Sequence, residues 1–168
     1  QEIIINKSYE YFQINEKGLL IIPCGVGKTL ISLWITQELN LNTILIGVPN
    51  KLLLKQWEEV ICSLFQSVPY LIVSGGVDTK NIMRFLENKQ KKCIVITTYS
   101  SAHKVHTATQ HTRFVFGMKL NDECFPFETG IQTNTGVIKI GKLYNMFERK
   151  EELPLILSFN ENDKKFEY

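Results

Sequence analysis

The sequence lacks several features, each of which would have pointed to a particular class of protein. Its four cysteines include no Cys-x-x-Cys pair, which disfavours both a zinc site and a disulfide framework. No apolar run approaches the roughly 20 residues of a membrane-spanning helix, and the first residues lack the basic-then-apolar order of a signal peptide. A formal net charge of +2 leaves the kind of partner open. We therefore expect an intracellular chain with reduced thiols and no membrane partner.

What is present is typical of a soluble globular protein. The 168 residues are 44% hydrophobic and 21% charged, which suits one core of ordinary size or one domain and a piece of another. The first residue is not Met, and Tyr168 falls inside a strand-like pattern. We therefore expect the sequence to be a fragment of a longer protein.

A short glycine-containing loop, followed by a helical pattern, is the most informative segment. It comprises Pro23, Cys24, Gly25, Val26, Gly27, Lys28 and Thr29, and the apolar run 18–22 precedes it. The glycines permit a tight turn, the lysine reaches the β- and γ-phosphates of a nucleotide, and the Thr hydroxyl binds Mg²⁺ at a helix start that favours anions. Ile22 stands where the full pattern has another glycine. The prediction of a phosphate-binding loop therefore also depends on the expected strand before it and helix after it.

Strand-like and helix-like segments alternate through most of the first 120 residues. Predicted helices cover Glu2–Phe12, Lys28–Leu39, Lys51–Phe65 and Thr79–Asn88, and predicted strands cover 18–22, Thr43–Val48, Tyr70–Val73, Cys93–Thr98 and Phe114–Leu120. Continuous β-branched runs such as Cys93–Thr98 suit strands that are buried on both faces. The predicted fold is therefore α/β, a parallel sheet with helices on both faces and the phosphate loop at the carboxyl ends of its strands.

An acidic pair completes the predicted nucleotide site. The strand that ends at Leu120 delivers Asp122 and Glu123 to the same edge of the sheet as the loop. Asp122 would hold Mg²⁺ through water, and Glu123 would polarise the attacking water, so that ATP is hydrolysed. The alternative is a solvated loop, because isolated Asp-Glu pairs are common.

Beyond Glu123 the sequence changes character. Gly, Thr and Asn become frequent, and short alternating stretches such as Val137–Ile140 and Leu155–Phe159 replace the strand-helix order. This pattern predicts an all-β segment. We place a domain boundary between Glu123 and Cys124, which separates an incomplete domain, 1–123, from a partial second one, 124–168.

Residues 1–123 resemble the ATP-binding RecA-like domain of superfamily 2 helicases and translocases, including the DEAD/DEAH, type III restriction-like and large-virus members. Residues 23–29 look like motif I of that family, Pro49–Trp57 like motif Ia, Ser74–Gly76 like its glycine pair, and Ile96–Tyr99 like motif Ib. The resemblance implies ATP and Mg²⁺ as cofactors, and nucleic-acid contacts that carry little sequence information. It assigns those contacts to Asn50, Lys51, Gly75 and Thr98, and the reading of adenine to Gln1.

The chain departs from that family after Asp122-Glu123-Cys124, because Phe125 stands where a histidine is expected. The segment from Cys124 to Gly136 resembles the first block of a Hint-type intein, with a leading cysteine, Thr-x-Ile-x-Thr and a glycine. That resemblance implies that the Cys124 thiolate attacks the carbonyl carbon of Glu123 and exchanges the amide for a thioester. The alternative is a plain thiol in a divergent helicase loop.

Together the two resemblances predict an ATP-dependent helicase or translocase, which hydrolyses ATP in the spliced full-length protein and turns over little in this fragment. Expected partners are nucleic acid (DNA in preference to RNA), a second RecA-like domain and the C-terminal part of the intein. Expected compartments are the cytoplasm, nucleoid, nucleus or a viral factory. Two alternatives stay open: a restriction- or remodelling-type translocase subunit that does not unwind, and a non-catalytic nucleotide-binding domain with a β interaction tail.

Overall fold

The computed structural model describes residues 1–22, 26–88, 91–122, 129–160 and 165–167. The chain divides into two compact units, Gln1–Glu123 and Cys124–Tyr168. None of the helices in the described ranges has the length and apolar character needed to cross a membrane.

As far as the chain is described, the first unit is built on a four-stranded parallel sheet. Its strands are β1 (Thr43–Val48), β2 (Tyr70–Val73), β3 (Cys93–Thr98) and β4 (Met118–Asn121), in the spatial order β2-β3-β1-β4. Five α-helices accompany them in the described ranges: α1 (Glu2–Phe12), α2 (Lys28–Glu38), α3 (Lys51–Leu64), α4 (Thr79–Asn88) and α5 (Ala102–Thr112). Because every pairing is parallel, all four carboxyl ends lie at one edge of the sheet.

Two apolar cores lie on opposite faces of this sheet. On one face β1 and β3 pack against α3 and Leu33 of α2, and on the other β2 and β3 pack against α4 and α5. Successive side chains of a strand point to opposite faces, so Ile94 and Ile96 enter the first core while Val95 enters the second. The sequence prediction of a parallel sheet with helices on both faces is confirmed.

The predicted strand 18–22 is not part of the sheet, which corrects the sequence analysis. Leu19 and Ile21 are 57% and 84% exposed, and the segment forms no ladder with β4. The chain is instead held beside the end of α1, where the Tyr11 hydroxyl donates to the carbonyl of Lys17 and the rings of Tyr11 and Phe12 lie against Gly18. These strand-like residues therefore have no strand partner among the described residues, and the chain before them lies against the end of α1.

Two further differences concern the stretch between β3 and β4. The sequence pattern predicts no helix there, yet α5 forms and buries Val105 and Ala108 in the second core. Its many Thr and His residues are weak helix formers, so burial of these two side chains stabilises it more than propensity does. The last strand begins at Met118 rather than Phe114, since Phe114 and Phe116 pack edge-to-face before it.

In its described residues the second unit forms two hairpins and one helix. Strands β5 (Gly130–Thr133) and β6 (Gly136–Lys139) pair antiparallel, as do β7 (Ser158–Asn160) and β8 (Lys165–Glu167). The prediction of an all-β segment does not hold for α6 (Ile140–Glu148). Its apolar residues Ile140, Leu143, Tyr144 and Phe147 follow helical spacing, a signal that the strand-like texture around them concealed.

Candidate nucleotide and nucleic-acid site

The sheet gathers the predicted site residues at the carboxyl ends of its strands. Gly75 follows β2, Thr98 ends β3, Asn50 follows β1, and Asp122 follows β4. In the order β2-β3-β1-β4, the strands that carry Gly75 and Asn50 are two strand spacings apart, roughly 10 Å. The predicted nucleic-acid contacts therefore form a row, with the predicted metal ligand at the next strand.

The described part of the phosphate loop leads directly into α2. Gly27 is the N-cap of that helix with φ 92° and ψ 42°, a left-handed conformation that strains any residue with a Cβ. Lys28 and Thr29 occupy the first turn and are half-buried, and Val26 is exposed. The first turn of a helix leaves amide N–H groups for an anion. Pro23, Cys24 and Gly25 lie outside the described residues.

Gln1 lies against this loop. Its Nε2 donates to the carbonyl of Val26 at 3.0 Å, and a Cβ at Gly27 would come within 3.3 Å of the same nitrogen. The structure therefore brings Gln1 to the described half of the loop. Its reading of adenine stays a prediction.

Asp122 is held by contacts from three other elements. The indole N–H of Trp57, on α3, donates to Asp122 Oδ2 at 2.7 Å. The hydroxyl of Tyr99, directly after β3, donates to the Asp122 carbonyl oxygen, and the Asp122 amide donates to Gly47 O of β1 at 2.9 Å. The end of β4 is thus fixed in both its backbone and its carboxylate.

Gly47 makes room for this arrangement. A Cβ at that position would lie 2.8 Å from Asn121 Oδ1 and 2.9 Å from Tyr99 Cε1, closer than any real side chain tolerates. No sequence motif marked Gly47, Trp57 or Tyr99 as a site residue. A glycine inside an otherwise β-branched buried strand was the available signal, because it often marks a close approach.

The predicted nucleic-acid residues differ in how accessible they are. Asn50 is exposed, and its side-chain oxygen accepts the amide N–H of Leu53 at 2.9 Å as the N-cap of α3. Lys51 is exposed in the first turn of the same helix. Thr98 is only 4% exposed, and its hydroxyl lies 3.1 Å from the hydroxyl of Ser100. Asn50 therefore also has a capping role, and Lys51 is the member best placed to meet a phosphate from solution.

The glycine loop after β2 is anchored by a lysine that the sequence analysis did not single out. Lys104 Nζ, on α5, donates to the carbonyl oxygens of Gly75 and Val77 at 2.9 and 3.0 Å. A Cβ at Gly75 or Gly76 would meet open space. The loop thus presents an uncovered backbone on one side and is fixed to α5 on the other.

The residues present suit Mg²⁺. Within the described ranges no three His, Cys, Asp or Glu side chains converge as a zinc site would require. Mg²⁺ needs only one or two protein carboxylates, with phosphate and water oxygens completing its shell. Thr29 and Asp122 are oxygen donors of that kind, and the preference for such a hard cation follows from their chemistry. Glu123 and Cys124 lie outside the described residues.

Known proteins resemble this chain in family, sequence and fold. The family described as type III restriction enzyme, res subunit, matches residues 1–153. Transcript termination protein A18 of fowlpox virus (strain NVSL) is 33% identical over 85 residues, which cover 51% of this chain. The structure of a nuclease-deletion mutant of the type ISP restriction-modification enzyme LlaGI, in complex with a DNA substrate mimic, matches with a TM-score of 0.65 and 20% identity over 73% of this chain.

Both relatives are much longer than the matched region. The match covers 17% of the fowlpox protein and 14% of the LlaGI chain. The family match also runs past residue 123 into the second unit.

Proposed function

The chain belongs to the type III restriction enzyme res subunit family, and on that premise we propose that it is the ATP-binding part of a nucleic-acid translocase or helicase. The observation that supports this most strongly is the tethering of Asp122 at the carboxyl edge of the sheet by side chains from α3 and from the end of β3. These are the two elements that carry Asn50, Lys51 and Thr98. A nucleotide site and a nucleic-acid track would therefore share one edge.

The proposed chemistry assigns one task to each predicted nucleotide-site residue. Lys28 and the amide groups at the start of α2 would neutralise the β- and γ-phosphates of ATP. Thr29 and Asp122 would hold Mg²⁺, which when bound offsets the charge that develops on the phosphate oxygens. Glu123 would orient the attacking water and accept its proton. Gln1, beside Val26, would contact the adenine.

The proposed track runs across the ends of β2, β3 and β1. Lys51 supplies a charge for a phosphate, the exposed Asn50 supplies a polar group, and Gly75 permits a close approach to the backbone. Thr98, which is 4% exposed, would support the end of β3 beneath the track. Contacts of this kind read shape and charge rather than bases. We propose DNA ahead of RNA, and the DNA substrate mimic bound to LlaGI makes it the first ligand to test.

Nucleotide binding by the 168-residue chain tests the proposal. A fluorescent ATP analogue should bind in the presence of Mg²⁺, and Lys28→Ala should abolish that binding because the phosphates lose their cation. Lys51→Ala is the matched control. It should bind nucleotide as the wild type does, but bind single-stranded DNA more weakly, with a salt dependence reduced by about one charge. Unchanged nucleotide binding in Lys28→Ala would contradict the proposal.

We further propose that turnover by residues 1–168 alone is low, since the resemblance assigns arginine fingers and half of the track to a second RecA-like domain. A steady-state ATPase assay with DNA checks this. If residues 1–168 hydrolysed ATP as fast as an intact helicase, and Lys28→Ala abolished that hydrolysis, the proposal of low turnover would be wrong. In the complete protein, duplex unwinding distinguishes a helicase from a translocase that moves without unwinding.

A second candidate function concerns residues 124–168. We propose that they begin an intein, with Cys124 forming a thioester with the Glu123 carbonyl. The compact unit that starts at Cys124 and the β5–β6 hairpin favour it, with Thr133 buried and its hydroxyl donating to Gly136 O at 2.6 Å. The family match across this boundary favours the alternative, a divergent helicase loop.

The intein proposal is tested in the protein expressed from its complete reading frame. Hydroxylamine or a thiol reductant should cleave between Glu123 and Cys124, and mass spectrometry should find a product that ends at residue 123. Cys124→Ala should abolish the cleavage because it removes the nucleophile. An uncleaved protein under both treatments would favour the continuous helicase.

A further inference from the structure

The bond between Trp57 and Asp122 joins two residues 65 positions apart in the chain. Trp57 is 3% exposed and packs in the first core with Leu54 and Ile61 of its own helix, so its indole ring has little freedom to rotate. Its N–H therefore has a fixed direction. A hydrogen bond to a carboxylate is stronger than one between neutral groups, which makes this donor an effective constraint on the Asp122 side chain.

Tyr99 constrains the same residue through its backbone. Its hydroxyl donates to the Asp122 carbonyl oxygen, and its ring lies over Gly47, where a Cβ would come within 2.9 Å of it. The Asp122 amide is bound to Gly47 O. Tyr99, Gly47 and Asp122 thus form one contiguous group across β3, β1 and β4.

We infer that Trp57 and Tyr99 are positioning residues that orient Asp122 for Mg²⁺ and the nucleotide phosphates, an inference that rests on the proposed function. Trp57 sets the direction of the carboxylate, and Tyr99 sets the backbone from which that carboxylate projects. Groups that hydrogen-bond a metal-associated ligand in this way commonly change metal affinity roughly 10- to 100-fold when they are removed. Neither residue touches ATP in this scheme, and both act through Asp122.

A Mg²⁺ titration of the full 168-residue chain with a fluorescent ATP analogue separates this role from a general effect on folding. Trp57→Phe keeps an aromatic ring and loses the N–H, and it should raise the Mg²⁺ midpoint by roughly 10-fold. Affinity for the analogue in EDTA should not change, because Asp122 acts on the metal. Trp34→Phe makes the same chemical change on α2 and should leave the Mg²⁺ midpoint unchanged.

Tyr99→Phe is the second variant, and it decides the outcome if circular dichroism shows that Trp57→Phe does not fold. It removes one hydroxyl and should raise the Mg²⁺ midpoint by about threefold, as expected for one ordinary hydrogen bond. Midpoints equal to that of the wild type in the folded variants would overturn the inference and leave the proposed function standing. A wild-type chain that binds no nucleotide at all would overturn both.

Discussion

The two units of the chain differ in how much of their apolar surface they bury. In Gln1–Glu123 the strands β1 and β3 are covered on both faces, and Ile46, Val95 and Ile96 are 0% exposed. In the described side chains of the second unit only Thr133, Gly141 and Leu143 are buried. Several of its large apolar side chains are 46–70% exposed: Val137, Tyr144, Phe147, Leu153, Leu155 and Ile156.

This difference shows which unit can hold a site in place. The fixed end of β4 depends on Trp57, whose indole the first core immobilises. The hairpins of the second unit have no comparable core behind them in the described ranges, and a two-stranded hairpin is marginally stable by itself. A rigid chemical site is therefore expected in the first unit.

The largest test of this contrast removes a buried side chain from each unit. Ile96→Ala should lower the free energy of unfolding of the first unit by about 2–5 kcal/mol, because it leaves a cavity between β3 and α3. Both tryptophans, Trp34 and Trp57, lie in that unit, so tryptophan fluorescence during urea unfolding measures it alone. Leu143→Ala should leave this transition in place. A shift of similar size in both variants would mean that the units unfold together.

A second experiment asks whether the rigidity of the first unit extends to its functional edge. Gly47→Ala should lower the free energy of unfolding by about 1–3 kcal/mol, because the added Cβ displaces Tyr99 and the Asn121 side chain. Gly75→Ala is the matched control. It points into open space, so it should fold as stably as the wild type while weakening DNA binding. Equal unfolding free energies of the two variants would indicate that Tyr99 and Asn121 move aside for the added Cβ at little cost in stability.

The pH dependence of stability gives a third test of the buried sheet. Burial raises the pKa of the Cys93 thiol to about 11 from its ordinary 9.0. The folded state therefore favours the protonated Cys93 thiol, and the resulting contribution to the free energy of unfolding is fully present below pH 9. That contribution is lost as the pH rises from 9 to 11. Between pH 8 and 10 the free energy of unfolding, measured in urea, should fall by about 1 kcal/mol more in the wild type than in Cys93→Ala. Parallel curves of unfolding free energy against pH for the two proteins would show that the pKa of Cys93 is the same in the folded and unfolded states.

The smallest expected effect concerns the loop after β2. Lys104→Met removes two hydrogen bonds to the carbonyls of Gly75 and Val77, and it should lower the opening free energy of residues 74–77 by about 1 kcal/mol. Hydrogen exchange of their amides measures this. Lys80→Met, at an exposed position of α4, should exchange as the wild type does. If Lys104→Met left the hydrogen-exchange protection of residues 74–77 unchanged, the glycine turn would be stable without its contacts to Lys104.

Much of the first unit was predictable from local patterns. The strands Thr43–Val48, Tyr70–Val73 and Cys93–Thr98 occur at their predicted bounds, because runs of β-branched residues bounded by turns suit strands with two buried faces. The same kind of pattern failed at 18–22, where contacts with Tyr11 and Phe12 compete with strand pairing. In the second unit it concealed α6, whose helical spacing runs on from the end of β6.

The candidate site, too, was predictable only in part. The sequence predicted that Lys28, Thr29 and Asp122 belong to one chemistry, and the parallel sheet does deliver Asp122 to its carboxyl edge. The strand expected to deliver Lys28 and Thr29 to the same edge, 18–22, is not part of the sheet. The partners of Asp122 could not be predicted. A buried tryptophan has one N–H to satisfy, and nothing in the residues around Trp57 indicates that its acceptor lies 65 positions away.

The sequence by itself determined the strands β1, β2 and β3 with the helices between them, the start of α2 directly after a glycine, and the order of the acidic, basic and glycine-containing segments. These features depend on residue type and on neighbours a few positions apart. The tertiary structure decided that residues 18–22 stay outside the sheet, that Gly47 must have no side chain, and that Trp57 and Tyr99 hold Asp122. Each of these depends on which distant atoms come within hydrogen-bonding or van der Waals distance, and only the packed chain determines that.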